Sequence, residues 1–454
     1  MIAAETDTTI VGGLNPHERR ALMAVLLGVV LATLDTAIAN TALPNIAADL
    51  HSPPAASIWV INAYQLAVVA TMLPFASLGD RFGPRRIFLG GIAVFTIASL
   101  ICTFANTVPL LAAARVVQGI GAGAMMSVNI ALIRLIYPAS RLGAGVGMNA
   151  LVVGISFALG PSVASVILSL ANWPWLFGIN VPLGLLAIGF AWPNLPRSEP
   201  HRHAFDPATA VLTAISFAAL IFTLSSTAQL QSLTQIGISA LITTVSVICL
   251  LLRQAGHAAP MLPVDLLRRP MFALSTVTAI AAFATQGVAF VALPFYFEEV
   301  LHHDPVHTGF LMTAWPVIVA AAAPIAGRMS DKVSPGLLGG IGLALLSVGM
   351  VALTMISAET SVPVIVLCMA ICGAGFGMFQ APNLKALMSS APPERSGGAS
   401  GVIGVARLLG QSSGAASVAL CFHLGGTNGA ALALALGAVS AGVAAAASFS
   451  RLLV

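Results

Sequence analysis

Charge is what this chain lacks. Only 7% of its 454 residues are Asp, Glu, Lys or Arg, against about 25% in a soluble globular chain. With 58% hydrophobic residues and a mean hydropathy of +0.97, a soluble enzyme is excluded and the bilayer becomes the expected solvent. The apolar segments also lack a clustered His/Asp/Glu set or an activated nucleophile, which argues against a membrane enzyme and implies no metal and no cofactor. The net charge of +4 is small, and the basic residues are dispersed. Nucleic acid is therefore not an expected partner. Cysteine is sparse. Cys102, Cys249, Cys368, Cys372 and Cys421 all fall in apolar segments and are expected to pack as small hydrophobes. The first residues, MIAAETDTTIVGGLNPHERR, are polar and mixed in charge, unlike a cleavable signal. The apolar run that follows is long enough to span and remain.

What is present in abundance is long apolar runs. A spanning helix needs about 20 such residues. Fourteen candidates are read: 21–44, 57–79, 86–105, 108–133, 142–169, 175–193, 208–226, 236–252, 271–297, 308–328, 337–357, 362–388, 397–421 and 427–449. The chain is thus expected to be an all-α polytopic membrane protein. Lys and Arg occur in every second connection, from Arg19 and Arg20 through Arg81, Arg134, Arg253 and Lys332 to Arg451. The alternate connections hold Asp49, Glu298, Glu299, Asp304 and Glu359 instead. By the positive-inside rule both termini are expected in the cytoplasm, with the protein in the cytoplasmic (inner) membrane. The polar connector RSEPHRHAFDP, with His201 and His203, is read as a solvated linker. His302, His303 and His307 are read as a solvated external loop.

The chain repeats itself. GIGAGAMMSVN from Gly119 matches GAGFGMFQAPN from Gly373 at an offset of 254 residues. Asp80 and Pro84 meet Asp331 and Pro335 at an offset of 251, and Leu43-Pro44 meets Leu293-Pro294 at 250. This predicts two six-helix bundles plus two extra central helices. The expected divisions are 1–195, 196–255 and 256–454. Two halves of like orientation suggest alternating access, with substrate bound between them near the midplane.

Several residues stand out against this background. Asp35, in LATLDTAIANTALP, is the only carboxylate well inside a span. A charged Asp at the bilayer centre costs about 2.5–3.5 kcal/mol. A carboxyl placed there can take a proton from one side and lose it to the other. Its repeat partner is Thr285, so the second half lacks the group. Arg115, in RVVQGIGAG, is a second unrepeated charge, with Met369 as its counterpart. Asp35 and Arg115 are the expected proton-coupling residues. LGDRFGPRRIFLGG supplies Gly79, Asp80, Arg81, Gly83 and Arg85, an expected conformational latch whose weaker copy carries Asp331. GISFALGPSVAS places Gly154, Gly160 and Pro161 on a helix built for close packing, bent at the proline. Polar and aromatic residues in apolar runs nominate a substrate pocket of Asn40, Tyr64, Gln65, Gln118, Gln286, Phe290, Trp315 and Gln380.

These stretches resemble the major facilitator superfamily. LGDRFGPRR is similar to its loop signature, RVVQGIGAG to its fourth-helix signature and GISFALGPSVAS to its antiporter signature. LDTAIANTALP, WVINAYQLA, WPWLFGINVPLG and ARLLGQSSGAA resemble the fourteen-helix drug:proton antiporter branch. Ser156 and Ala164-Ser165 depart from the glycines usual in the fifth helix, though all remain small. The extra acid of dication exporters is missing from FLMTAWPVIVAAAAP. The resemblance implies a major facilitator fold and proton-coupled export of lipophilic or cationic drugs, with a proton-coupling role for Asp35. The expected partners are a small-molecule cargo, a lipophilic cation foremost, together with protons and the lipid bilayer. The alternative is a dedicated exporter of one endogenous metabolite or antibiotic.

Overall fold

Asn15 opens the first helix with a capping box. Its side chain accepts from the Glu18 amide at 2.8 Å, and the Glu18 carboxylate accepts from the Asn15 amide at 2.8 Å. Proline in the first turn recurs at helix starts, at Pro84, Pro207, Pro270, Pro305 and Pro335, where no amide partner is lost. The computed structural model describes residues 15–137, 142–197, 206–228, 232–254, 264–392 and 396–453. Residues 1–14, Arg141, Arg202, Arg395 and the connector histidines His201 and His203 lie outside them, as do most of the two joins expected around 196–205 and 253–263.

Fourteen long helices follow in the described residues. The first six are α1 (Pro16–Thr41), α2 (Trp59–Phe82), α3 (Pro84–Thr103), α4 (Val108–Ile136), α5 (Leu142–Leu170) and α6 (Asn180–Asn194). Then come α7 (Pro207–Ala228) and α8 (Leu233–Gln254). The last six are α9 (Pro270–Phe295), α10 (Pro305–Met329), α11 (Pro335–Thr354), α12 (Val362–Ser390), α13 (Ser396–Gly425) and α14 (Gly429–Ser450). Lipid offers no hydrogen bonds to a backbone, so a chain of this composition satisfies itself in helices. Thirteen described segments are helical, long and apolar enough to cross a bilayer, α6 together with the short helix Pro174–Gly178 before it. The remaining one, α13, has the length, but Arg407, Gln411, Ser412 and Ser413 make it more polar. Of these, Arg407 and Gln411 line the central cavity and Ser412 meets Gln65, as described below.

The two halves pack by one plan. In the first, α4 lies against α2 and α3, α1 against α5 and α6, and α3 against α6. In the second, α12 lies against α10 and α11, α9 against α13 and α14, and α11 against α14. Glycines set the closest approaches. A Cβ on Gly121 would stand 2.7 Å from the Gly91 carbonyl oxygen, and one on Gly375 2.5 Å from that of Gly342. Backbones this close require glycine at those crossings. The halves meet where α5 runs along α10 and α2 along α13, with α1 touching α9.

The extra pair lies outside this core. The α7 helix covers the seam between α2 and α13, while α8 packs on α7. The outer face of α8 presents Leu241, Val245, Ile248 and Leu252. Cys249 is exposed on this helix rather than packed inside, which corrects the packing expected of it. The ends of the pair are clamped by Asp206, which accepts from Arg253 Nε at 2.9 Å and Nη2 at 3.0 Å. That guanidinium, followed by the Thr209 hydroxyl, holds the half-buried Asp206 carboxyl well below the usual carboxylate range.

Candidate functional site

A cavity of about 590 Å³ lies between the halves, within the size range of small-molecule sites. From α1 and α2 come Thr33, Thr36, Tyr64, Gln65 and Val68. The opposite half supplies Phe283 and Gln286 of α9, Trp315 of α10, Phe376 and Gln380 of α12, and Arg407 and Gln411 of α13. The lining continues to Met126, Gly147, Gly327 and Leu384, toward the ends that carry the basic loops.

Helix packing turns these side chains inward. Tyr64, Gln65 and Val68 share one face of α2 by helical spacing. Gly410 and Gly414 press α13 against α9, where a Cβ would meet the carbonyl oxygens of Ile280 and Ala284 at 2.5 and 2.2 Å. Arg407 and Gln411, one turn apart, are thereby rotated onto the cavity. Tyr64 and Trp315 are repeat counterparts, 251 residues apart. Each lies over a glycine of the fourth helix of its half: a Cβ on Gly119 would be 2.5 Å from the Tyr64 carbonyl oxygen, and one on Gly373 2.5 Å from that of Trp315.

Asp35 lies behind this wall, 1% exposed. Its carboxylate accepts from Arg115 Nη1 at 2.5 Å, Gln118 Nε2 at 2.9 Å and Asn180 Nδ2 at 2.7 Å. Arg115 also donates to the Val60 carbonyl at 3.1 Å and to Gln118 Oε1 at 2.6 Å. Its guanidinium carbon sits 4.1 Å from the Tyr64 ring centre and 5.4 Å from that of Phe177. Such stacking suits a desolvated guanidinium. Tyr64 is thus a partition, with the ion pair on one side and the cavity on the other. Gln118, nominated for the pocket, belongs to the ion-pair network instead. Asn40 and Phe290 line only a small adjoining void, and Phe290 meets Trp315 edge-on at 5.7 Å. Gln65, Gln286, Trp315 and Gln380 do reach the main cavity.

The expectation of a cationic cargo finds no counter-charge. Among the described residues no Asp or Glu lines the cavity, and its charged side chain is Arg407. Phe283, Phe376, Arg407 and Gln411 were absent from the sequence-based pocket. So was Asn180 as a ligand of Asp35. The i,i+4 spacing of Arg407 and Gln411 in an apolar run was the available signal for two of them.

Residues 25–415 match the model of the Major Facilitator Superfamily. The chain belongs to that superfamily. It is 48% identical over 439 residues to the uncharacterized transporter YebQ of Escherichia coli K12, covering 96% of both chains. Over 378 residues it is 30% identical to the riboflavin transporter RibZ of Clostridioides difficile, covering 83% of this chain and 82% of that one. The tetracenomycin C resistance and export protein of Streptomyces glaucescens is 28% identical over 416 residues, 90% of this chain and 76% of that one. Among solved structures, an inward-facing bacterial homologue of the lysosomal transporter Spinster superposes with a TM-score of 0.71 at 14% identity, over 97% of this chain and 98% of that one. The chain is therefore a multi-pass membrane transporter of the superfamily type, not an enzyme.

The remaining nominated residues lie at the join of α2 and α3, at its second-half copy and on α5. Gly83 has φ 89° between α2 and α3, a conformation open to glycine. Arg85 Nη2 donates to the Trp192 carbonyl at 2.5 Å, tying α3 to the end of α6. Gly79 is pressed on Val128, whose Cγ1 would be 2.6 Å from a Cβ. Asp80 and Arg81, both exposed, adjoin Gly79 at the end of α2. In the second copy Asp331 pairs with Lys385 at 2.5 Å. On α5, Gly160 meets Ala37 of α1, whose Cβ would be 2.2 Å from an added Cβ. The Pro161 carbonyl faces Gly309 of α10. Gly154 differs from the packing expected of it: it lines the cavity, and an added Cβ would meet nothing within 4 Å.

Proposed function

We propose that this chain exports amphipathic small molecules across the cytoplasmic membrane in exchange for protons, as a member of the fourteen-helix drug:proton antiporter branch. Both termini and the basic loops face the cytoplasm in this reading, so the cavity is loaded from inside. The observation that carries it is the Asp35–Arg115 pair, sealed behind a tyrosine that also walls the cavity. A proton arriving at Asp35 removes the acceptor that compensates Arg115. A buried charge that loses its partner costs about 3–5 kcal/mol, enough to drive rearrangement of α1 against α2 and α4. Movement of Tyr64 then transmits the change to the cargo site. Alternating access follows as one half rocks on the other, with Gly79, Asp80, Arg81, Gly83, Arg85 and Asp331 latching the cytoplasmic ends.

The test is cargo uptake into inside-out vesicles energised by a proton gradient, wild type against Asp35→Asn. Uptake should collapse in the variant and on adding an uncoupler. Full gradient-driven uptake by Asp35→Asn would remove the coupling role. A dedicated exporter of one metabolite or antibiotic is the second reading, supported by relatives named for single compounds, riboflavin and tetracenomycin C. Expression in a sensitised host separates the two, since a dedicated exporter protects against few compounds.

A further inference from the structure

The cavity's charge specifies its cargo more closely than its aromatic walls do. Arg407 lines the cavity and has no acidic partner among the described residues. Asp35, the acid that could have answered it, is consumed by Arg115 on the far side of Tyr64. The nearby amides are also arranged as donors. Gln65 Oε1 already accepts from Ser412 Oγ at 2.8 Å, and Gln286 Oε1 from Gln411 Nε2 at 2.9 Å. The amide nitrogens of Gln65 and Gln286 therefore remain to donate. Neutral acceptors exist in Gln380 and Gln411, but none carries charge. Phe283, Trp315 and Phe376 supply flat apolar wall beside them.

We propose that the central cavity selects an organic acid: a planar, largely apolar body bearing one anionic group, which ion-pairs with Arg407 and accepts from Gln65 and Gln286. Resting on the export reading only for the identity of the site, this assigns it a cargo class opposite in sign to a lipophilic cation. A guanidinium holds a carboxylate or similar oxyanion by paired charge-assisted hydrogen bonds. A cationic cargo would instead bring a like charge against Arg407 in a cavity whose described lining has no acid to meet it, a repulsive element that works as specificity.

A matched trio tests this: pyrenebutyric acid, its carboxamide and pyrenebutylamine, measured by fluorescence anisotropy on the full chain in lipid nanodiscs at neutral pH. The acid should bind at least about tenfold more tightly than the amine, with the amide between, as expected for one charge-assisted contact. Arg407→Gln should erase the acid's advantage, and Arg407→Lys should keep part of it. Size-exclusion profile and thermal unfolding establish that both variants fold. An amine that binds as well as the acid, an acid-to-amine ratio unchanged by Arg407→Gln in folded protein, or no binding of the acid by folded wild type would each overturn the assignment. Proton-driven uptake of the same three compounds is scored separately. Selective binding without uptake counts against export and leaves the cargo class standing. Gradient-driven uptake of the amine in preference to the acid does the reverse.

Discussion

Asp35 and Arg115 occupy the membrane interior as a pair that neither could occupy alone. Each is 1% exposed, and an isolated charge at that depth is costly. Arg115→Gln should therefore lower stability by about 3–5 kcal/mol, because Asp35 keeps its burial and loses its cation. The double variant Asp35→Asn, Arg115→Gln should recover much of that loss without restoring proton-driven uptake. Thermal unfolding of the single and double variants in one detergent checks the first claim, and vesicle uptake the second. A double variant as unstable as Arg115→Gln would show that the pair is not what the surrounding donors were built around. Tyr64 gives the pair its reach. It stacks on Arg115, donates from its hydroxyl to the Ala32 carbonyl at 3.3 Å, and faces the cavity.

Between helices the chain uses glycine where backbones meet and polar caps where helices begin. The contrast along α5 is testable. Gly160→Ala pushes a methyl into Ala37 and should cost about 1–3 kcal/mol, whereas Gly154→Ala enters open cavity and should leave the unfolding temperature nearly unchanged. Equal effects at the two sites would contradict the packing described. At the start of α10, Asp304 accepts from the amides of Val306 and His307 at 2.9 and 3.0 Å. The His307 ring is the main cause of a carboxyl held below the usual range. A carboxyl depressed on folding stabilises above its unfolded pKa, and that contribution is lost as pH falls through the folded value. Asp304→Asn should thus lower the unfolding free energy slightly at pH 7, by about 0.5 kcal/mol or less for so exposed a pair. The gap should close as the pH is taken below the carboxylate range, and a constant gap across the series would argue against it. Helices and repeat were legible beforehand because apolar length and recurring spacing can be read along the chain, whereas of the glycines expected to pack on α5 Gly160 does and Gly154 does not. The cavity was legible only in part. Polarity in an apolar run marks residues that face protein, but not which interior they face. Gln65, Gln286 and Trp315 face the cavity, while Gln118 turns to Asp35. That choice depends on helix rotation, which Gly119, Gly373, Gly410 and Gly414 set through partners on other helices, from Tyr64 and Trp315 to Ile280 and Ala284.

At the scale of the molecule, two similar halves carry dissimilar chemistry. Where the first half has Asp35, the second has Thr285, hydrogen-bonded to backbone carbonyls of Ala281 and Gly437 at 3.2 Å each. Where the first has Arg115, the second has buried Met369. The buried ion pair thus belongs to one half, while most of the cavity's aromatic and amide lining comes from the other. The ends bearing acidic loops are drawn together by Asn45, which donates to Glu298 at 3.0 Å, and by Ser162 with Thr313 at 2.8 Å. The asymmetry of charge around the cavity also has an electrical side. For one proton exchanged per cargo, an outgoing monoanion and an incoming proton move charge in the same direction. A potential of 100 mV, negative inside, then contributes about 4.6 kcal/mol per cycle, twice the value for one charge. With a monovalent cation the two movements cancel and the potential does no work. In vesicles held at zero pH difference, a potassium diffusion potential set by valinomycin should drive uptake of pyrenebutyric acid and leave pyrenebutylamine unmoved. A guanidinium standing alone on the cavity wall would thus decide which part of the cell's energy store the transporter can draw on.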